Sequence, residues 1–193
     1  RVLGMLLVGG SPEVLRKVLA EHLEDASNEM SGLARLTVQR MYEQWLQLEE
    51  HLKWCDERIN AHLKTDARAR QAQQLLGVGP IGASALLATV GDFKQFASAA
   101  QFSAWLGLVP KQNSTGGKSK LGSITKRGDI YLRMLLVQGA KAAVLAHWRH
   151  DSPTSQWLEK LKERSGWQVA AVALANKNAR ILWAMFAKDR GFD

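Results

Sequence analysis

The sequence is poor in cysteine and proline, with one Cys and four Pro among 193 residues. Because a single cysteine cannot pair within the chain, Cys55 excludes an internal disulfide and any zinc site built from several cysteines. Apolar runs stay below the ~18 residues that a membrane-spanning helix needs. The apolar opening RVLGMLLVGG has no basic lead-in or cleavage pattern, which argues against a signal peptide. Since the chain also begins without Met, we expect a fragment of a longer protein.

Negative charge is scarce in the second part of the chain. Residues 1–75 hold 10 Lys and Arg against 11 Asp and Glu, whereas residues 76–193 hold 16 against 7, within a formal net charge of +8. This asymmetry indicates a nucleic acid or an acidic membrane surface as the partner of the basic part. A solvated basic surface has the same composition and is the alternative. The basic part has no carboxylate cluster, which excludes an autonomous two-metal nuclease centre.

The spacing of apolar residues predicts a mainly α fold in two domains, residues 1–66 and 67–193. Residues 33–63 contain neither Gly nor Pro, and their apolar positions alternate spacings of three and four, which is a heptad seam. We interpret this helix of about 30 residues as a coiled-coil arm for self-association. The alternative is an intramolecular hairpin with the preceding helix, which Ser11 and Pro12 begin. The seam consists of Val38, Met41, Trp45, Leu48, Leu52, Cys55 and Ile59.

The segment GVGPIGASALLATV resembles a helix-hairpin-helix element, in which a Gly-Val-Gly turn joins two short helices. Backbone N–H groups at such a turn bind the phosphates of a duplex without reading its sequence, which makes Gly77 and Gly79 candidate contacts. A tight helix–helix turn with small residues for close packing is the alternative. Further helices are predicted from Thr65-Asp66, from Ser98, and over residues 129–148, 155–164 and 167–188. The last has an alanine-rich face suited to the centre of the core.

The stretch LVPKQNSTGGKSKLGSITKRGDIYLR, residues 108–133, forms a glycine-rich basic loop with one carboxylate, Asp129. Gly116 and Gly117 allow a ligand to approach the backbone closely. The loop has too few β-branched residues to predict strands firmly, although a short hairpin around the two glycines is compatible with it. Its phosphate-binding candidates are Lys111, Lys118, Lys120, Lys126, Arg127 and Arg133.

A hydroxyl group, that of Ser114, lies at the tip of this loop. Serine needs a base or strong local electrostatics to act as a nucleophile, and the surrounding cations could stabilise an attacked phosphate. Alternatively, the Ser-Thr pair forms a turn that hydrogen-bonds its own backbone or a phosphate. Spacing alone does not eliminate Thr115, Ser119, Ser123 or Thr125.

Other polar residues give weaker signals. On the last predicted helix, Lys177 and Arg180 either contact phosphate or form its solvated side. The five histidines have no ligand spacing with one another or with Cys55. His147, His150 and Asp151 could hold a metal, but a solvated helix end is the preferred interpretation. We therefore predict no metal or other cofactor in this chain.

The order of these motifs, from GVGPIGASALLATVGDF through the basic loop to VAAVALANKNARILWAM, resembles the C-terminal transposase domain of a bacterial insertion-sequence family. The resemblance covers roughly residues 75–190, and the long helix before it is similar to the family's coiled-coil connector. Members pair an N-terminal resolvase-like nuclease domain, which carries four acidic metal ligands, with a C-terminal domain that carries a serine.

This resemblance implies an oligomeric DNA transposase, directed to its sites by a structured noncoding RNA of the element. It implies a composite active site, in which the nuclease domain binds Mg²⁺ and the serine attacks the scissile phosphate. By position in the motif the nucleophile is Ser114, with Thr115 directly before Gly116. No segment of this chain matches the nuclease domain, so we expect it to bind DNA and guide RNA and to associate, but not to cut DNA alone. The expected location is the cytoplasm of a prokaryote, in association with the nucleoid and not with a membrane.

Two alternatives belong to other functional classes. One is a non-catalytic helix-hairpin-helix module that binds branched or duplex DNA and dimerises through the long helix. The other is a purely structural oligomerisation fragment, which would lack salt-dependent affinity for nucleic acids.

Overall fold

The computed structural model describes residues 11–115, 118–146 and 152–189, with residues 113–115 and 118–120 described by their backbone. The fold is mainly helical, as the apolar spacing predicts. The chain divides into two compact units, one ending at Arg58 and the other beginning at Ile59. The domain boundary placed between residues 66 and 67 stays a prediction. Within the described ranges, no helix is both long and apolar enough to cross a membrane.

The N-terminal unit contains helix α1, Pro12–Glu24, and most of helix α2, Gly32–Thr65. Proline stands at the start of α1, but the Ser11 side chain makes no capping hydrogen bond. Its carbonyl oxygen instead accepts from the Leu15 N–H at 3.1 Å. The α2 helix is 34 residues long, which confirms the uninterrupted helix predicted from the absence of Gly and Pro.

Contacts between α1 and α2 give the N-terminal unit part of an intramolecular hairpin. The Arg35 guanidinium donates to the carbonyl oxygen of Asp25 at 2.8 Å, just beyond the end of α1. Farther along, Arg16 and Glu49 form an exposed ion pair at 3.2 Å. The seam residues Met41, Leu48 and Leu52 nevertheless remain exposed. Self-association through this seam therefore stays a prediction.

In the described part of the C-terminal unit there are six more α-helices and one pair of strands. Its short helices begin at the predicted caps, because the Asp66 side chain accepts from the Arg68 and Ala69 N–H groups and the Ser98 side chain accepts from Gln101 N–H. The elements are α3 (Ala67–Ala72), α4 (Pro80–Val90), a 3-10 turn (Phe93–Gln95), α5 (Ala99–Trp105), β1 (Pro110–Thr115), β2 (Lys118–Ile124), α6 (Ile130–Ala146), α7 (Pro153–Ser165) and α8 (Trp167–Ala187).

Helix α8 lies at the centre of this unit and packs against α5, α6 and α7. Of the alanines predicted for its core face, Ala173 is half-buried and the others are fully buried, namely Ala170, Ala171, Ala175 and Ala179. Small side chains let neighbouring helices approach closely, since helix separation depends on the residues at the contact. The buried Phe102 ring lies at centroid distances of 5.0 to 5.9 Å from the rings of Phe93, Phe96 and the more exposed Trp105.

Candidate nucleic-acid interface

The basic loop forms an antiparallel β-hairpin. Strand β1 pairs with β2 from Pro110 opposite Ile124 to Thr115 opposite Lys118, with an irregularity between Pro110 and Gln112. Two residues, Gly116 and Gly117, connect the strands and lie outside the described residues. A two-residue connection containing glycine is a common hairpin signal, and the hairpin considered in the sequence analysis is confirmed.

The backbone of Ser114 lies in β1, opposite Ser119 in β2. The side chains of Ser114, Thr115, Lys118 and Lys120 lie outside the described residues, so their predicted roles stay predictions. The neighbouring positions that the structure describes fully are exposed on both strands: Lys111 and Gln112 on β1, and Leu121, Gly122 and Ser123 on β2. This segment of the hairpin therefore reaches solvent, where a polyanion has access.

The base of the hairpin is fixed by close backbone contacts. The Lys126 N–H donates to the Gly107 carbonyl oxygen at 3.1 Å. Both Gly107 and Gly128 have positive φ, at 71° and 144°. A Cβ atom added at Gly128 would lie 1.9 Å from the carbonyl oxygen of Trp105, so this crossing needs glycine. The two ends of the basic segment are thereby held together.

A second restraint comes from helix α6. Its first turn is capped by Asp129, whose carboxylate accepts from the Leu132 N–H at 2.8 Å. One turn later, Arg133 donates from Nη1 to the Leu106 carbonyl oxygen at 3.2 Å. Arg133 was predicted as a phosphate contact, and the structure gives it a part in fixing the chain that leads into β1.

Helix α8 contributes a third restraint through Asn176. Its amide Nδ2 donates to the Leu108 carbonyl oxygen at 2.9 Å, and its Oδ1 accepts from the Ser103 hydroxyl at 3.1 Å. Ser103 is almost completely buried. This polar network ties the start of the hairpin segment to the central helix. The sequence signal for it is the polar residue Asn176 within the alanine-rich stretch VAAVALANKN.

The predicted phosphate-binding cations lie in two places. Lys111, Lys126 and Arg127 are exposed on the hairpin and its base. On α8, Arg180 is exposed, and Lys177 places its ammonium 4.6 Å from the centre of the Trp157 ring. A cation held over an aromatic face keeps its charge while its stem is covered. Phosphate contact by these residues remains a prediction.

The Gly77-Val78-Gly79 turn lies between α3 and α4. Gly77 has a φ of 89°, and a Cβ added there would lie 2.8 Å from the Gly139 carbonyl oxygen of α6. The buried Asn178 of α8 donates from Nδ2 to the Leu76 carbonyl oxygen at 2.9 Å. These contacts favour the close-packing interpretation for Gly77. Gly79 is exposed at the start of α4, so a phosphate contact there stays a prediction, as does the helix-hairpin-helix assignment.

Metal-binding groups are dispersed over the described part of the chain. Among those residues, no three His, Cys, Asp or Glu side chains lie close enough together to hold a metal ion. The alternative site at His147, His150 and Asp151 lies outside the described residues. Cys55 is an exposed free thiol on α2.

Comparison with known proteins finds similarity to one family of proteins. Residues 69–155 match the model of the transposase IS116/IS110/IS902 family. The matched segment begins in α3 and ends in α7, so it contains the whole hairpin and the glycine turn.

Curated relatives support the same family. The chain is 49% identical over 142 residues to a probable family 20 transposase of Pseudomonas aeruginosa, covering 74% of this chain and 42% of that protein. It is 40% identical over 153 residues to the transposase for insertion sequence element IS1111A of Coxiella burnetii, covering 79% and 42%. A transposase for insertion sequence element IS1328 of Yersinia enterocolitica is 39% identical over 153 residues, covering 79% and 46%. The matches thus span less than half the length of these relatives, and together they support the transposase family.

Proposed function

We propose that this chain is the C-terminal part of a DNA transposase of the insertion-sequence type, and that it supplies Ser114 as the nucleophile of a composite active site. In this proposal the basic C-terminal unit binds DNA and a structured guide RNA, and the arm formed by α2 joins copies of the chain. The resemblance implies Ser114 as the nucleophile, and the backbone of this residue lies in strand β1 of the hairpin.

The observation that carries the proposal is the anchoring of the hairpin. Close backbone approaches at Gly107 and Gly128 and hydrogen bonds from Arg133 and Asn176 fix the segments that flank the hairpin. The residues of both strands whose side chains are described between Lys111 and Ser123 are exposed. A nucleophile must be positioned closely relative to its target, and rigid elements do this better than free loops. Ser114 lies on such an element, two residues before the strand connection.

The proposed step is a transesterification at phosphorus. The Ser114 oxygen forms a bond to phosphorus, and the bond between phosphorus and one deoxyribose oxygen breaks. The serine proton ends on the released sugar hydroxyl, so the number of phosphodiester bonds is conserved. In this proposal the exposed cations Lys111, on β1, and Lys126 and Arg127, at the base of the hairpin, bind phosphates along the attacked strand.

The resemblance also implies Mg²⁺, and among the described residues no three His, Cys, Asp or Glu side chains lie close together. The described side chains therefore do not form a cluster like the four acidic ligands that the resemblance implies. The proposal therefore assigns the metal to the nuclease domain of the longer protein and assigns no metal ligand to this chain. The chain alone is expected to bind nucleic acid without cutting it.

Covalent adducts between protein and DNA test this proposal. With the full-length transposase, its RNA and Mg²⁺, Ser114→Ala should abolish adducts on a denaturing gel and change DNA affinity less than twofold. Thr115→Val is the matched control, because it removes the neighbouring hydroxyl at similar volume and should leave adducts in place.

The reverse pattern, with adducts lost in Thr115→Val and kept in Ser114→Ala, would contradict the assignment of Ser114. An absence of adducts in the wild type would favour the non-catalytic DNA-binding module instead. Steep loss of affinity with salt is expected of both functions and is absent from a purely structural fragment.

A further inference from the structure

An open cleft of about 950 Å³ lies beside the hairpin, and its lining residues come from distant parts of the sequence. The base of both strands forms one side, with Pro110 on β1 and Ile124 on β2. Helices α6 and α8 form the other sides, from Ile130 to Lys141 and from Gln168 to Asn176. The cleft has the size of a small-molecule or cofactor site.

The walls of this cleft are mainly apolar and open to solvent. The exposed fractions are 73% for Ile130, 46% for Met134 and 53% for Val169, although these side chains are large and apolar. Val137 and Val172 continue the surface inward. Adjacent apolar groups on several elements form a contiguous patch, and such patches mark binding sites more often than scattered apolar residues do.

The charged groups of the cleft all have the same sign. Lys126, Arg133 and Lys141 belong to its lining, and among the lining residues that the structure describes none carries a carboxylate. Gln138 and Gln168 add amide groups, which can both donate and accept hydrogen bonds. An apolar wall with a cationic rim has the two chemistries of a nucleotide, whose base has flat apolar faces and polar edges and whose phosphate is anionic.

We propose that this cleft binds an unpaired nucleotide of the DNA strand that Ser114 attacks, with the base against Val169 and Met134 and its phosphates near Lys126 and Lys141. The inference rests on the proposed function, because the choice of the DNA strand depends on the place of Ser114. The nucleotide must be unpaired, because only an unpaired base can offer its faces and edges to a cleft.

The spacing along the hairpin agrees with a single continuous strand. Four residue steps separate Pro110, at the cleft, from Ser114. At ~3.3 Å for each residue of a strand this distance is about 13 Å. One strand of stacked DNA advances ~3.4 Å per nucleotide, so the bound nucleotide would lie within about four positions of the attacked phosphate.

The test uses the 193-residue chain and single-stranded DNA that carries one 2-aminopurine, moved in turn through the positions around the cleavage site. We expect a fluorescence change at one or two positions only. Val169→Glu places a carboxylate in the cleft and should weaken binding at least tenfold and abolish the change. Leu145→Glu is the matched control, because Leu145 is exposed on α6, does not line the cleft, and gives the same change in net charge.

A second variant, Lys141→Gln, keeps the proposal testable should Val169→Glu misfold by circular dichroism. Loss of one phosphate contact should lower the slope of log affinity against log salt concentration by about 1. Equal effects of Val169→Glu and Leu145→Glu would overturn the proposal, as would an unchanged salt slope in Lys141→Gln.

Two other occupants have their own outcomes, and each overturns the proposal. Tighter binding of an RNA strand of the same sequence, lost in Val169→Glu, would assign the cleft to RNA. A change in oligomeric state in Val169→Glu, without a change in DNA affinity, would assign it to an interface between copies.

The 2-aminopurine signal should persist in Ser114→Ala. If that signal is present but adducts never form, the proposed nucleophile fails while the nucleotide site stands.

Discussion

The long helix α2 and the central helix α8 use their apolar residues in opposite ways. Leu52 on α2 is 65% exposed, whereas Leu174 on α8 is 0% exposed. Along α2 the apolar positions follow a heptad seam, while along α8 they surround the helix together with small alanines. A helix that is apolar on most sides is the core of its domain, and a helix with one exposed seam requires a partner. The apolar residues of α8 are therefore covered within their own unit, whereas those of the α2 seam remain open to a partner.

This difference bears on function. The core of the C-terminal unit is filled by its own side chains, and hydrogen bonds from Arg133 and Asn176 anchor the chain that leads into the hairpin. In its described residues the N-terminal unit has the α1–α2 contacts and leaves Met41, Leu48 and Leu52 of the seam exposed, while self-association stays a prediction. Four pairs of substitutions, one member in each region, test whether the two regions differ in this way.

The largest contrast is expected between Leu174→Ala and Leu52→Ala. Truncation of the fully buried Leu174 should lower the free energy of unfolding by about 2–5 kcal/mol, because it removes apolar contacts and leaves a cavity. Truncation of Leu52 should change the stability of the monomer by less than about 0.5 kcal/mol. Urea unfolding at low protein concentration measures both. Similar losses for the two would show that α2 is packed as tightly as α8.

A smaller contrast is expected between Gly139→Ala and Gly32→Ala. A Cβ at Gly139 would lie 1.9 Å from the Gly77 carbonyl oxygen, whereas a Cβ at Gly32 meets no atom within 4 Å. Overpacking at Gly139 should cost roughly 1–3 kcal/mol. Gly32→Ala should be neutral or slightly stabilising, because alanine favours a helix. Thermal unfolding compares them, and a stable Gly139→Ala would argue against the close approach of α6 to the glycine turn.

Polar interactions should show the same contrast on a smaller scale. Asn176→Ala leaves the buried Ser103 hydroxyl and the Leu108 carbonyl without their partner, at a cost of about 1–3 kcal/mol. Arg40→Ala breaks only an exposed ion pair with Glu43, which contributes ~0–1 kcal/mol. Amide hydrogen exchange measures the effect on the hairpin itself, because Asn176→Ala should reduce the protection of the hairpin amides. Unchanged exchange there would remove Asn176 from the positioning of Ser114.

The smallest contrast concerns the helix caps Asp66 and Ser11. Asp66→Ala should cost about 1 kcal/mol, and Ser11→Ala almost nothing, since only Asp66 makes capping hydrogen bonds. Burial raises the pKa of Asp66, but hydrogen bonds from the Arg68 and Ala69 N–H groups and the Arg68 charge outweigh it, so the net pKa is below 3.8.

The lowered pKa sets the pH range of this effect. The carboxylate of Asp66 contributes its full stabilisation above the ordinary value of 3.8, and this is lost as pH falls through the lower value of the folded state. The stability difference between wild type and Asp66→Ala should thus be constant at neutral pH and shrink below pH 3.8. Chemical unfolding at several pH values measures it, and a difference that grows on acidification would contradict the cap.

Local patterns predicted most of the helices. Caps at Asp66 and Ser98, the gap-free stretch of α2 and the alanines of α8 each have signals within a few residues. Those signals act over one or two turns, which is the range of capping and of helical periodicity. The hairpin was only compatible with the sequence, because its strands hold few β-branched residues and its register depends on pairing across the turn.

The restraints of the candidate site could not be predicted in the same way. Asn176 and Leu108 are far apart in sequence, and nothing near either residue reveals their hydrogen bond. The contact of Gly77 with Gly139 likewise joins two distant segments. The cleft beside the hairpin arises from three elements, so its cationic rim becomes visible only after they pack. Long-range packing of this kind has no local signature in a single sequence.

The most direct test of the central claim is the mass of one peptide. Trypsin cleaves after Lys111 and Lys118, which releases residues 112–118 with Ser114 and Thr115 as its hydroxyl-bearing residues. After reaction with DNA and nuclease digestion, we predict this peptide to carry a nucleotide through the Ser114 oxygen, as located by fragmentation. A nucleotide on Thr115, on a serine or threonine of β2, or on no peptide of the hairpin would contradict the account.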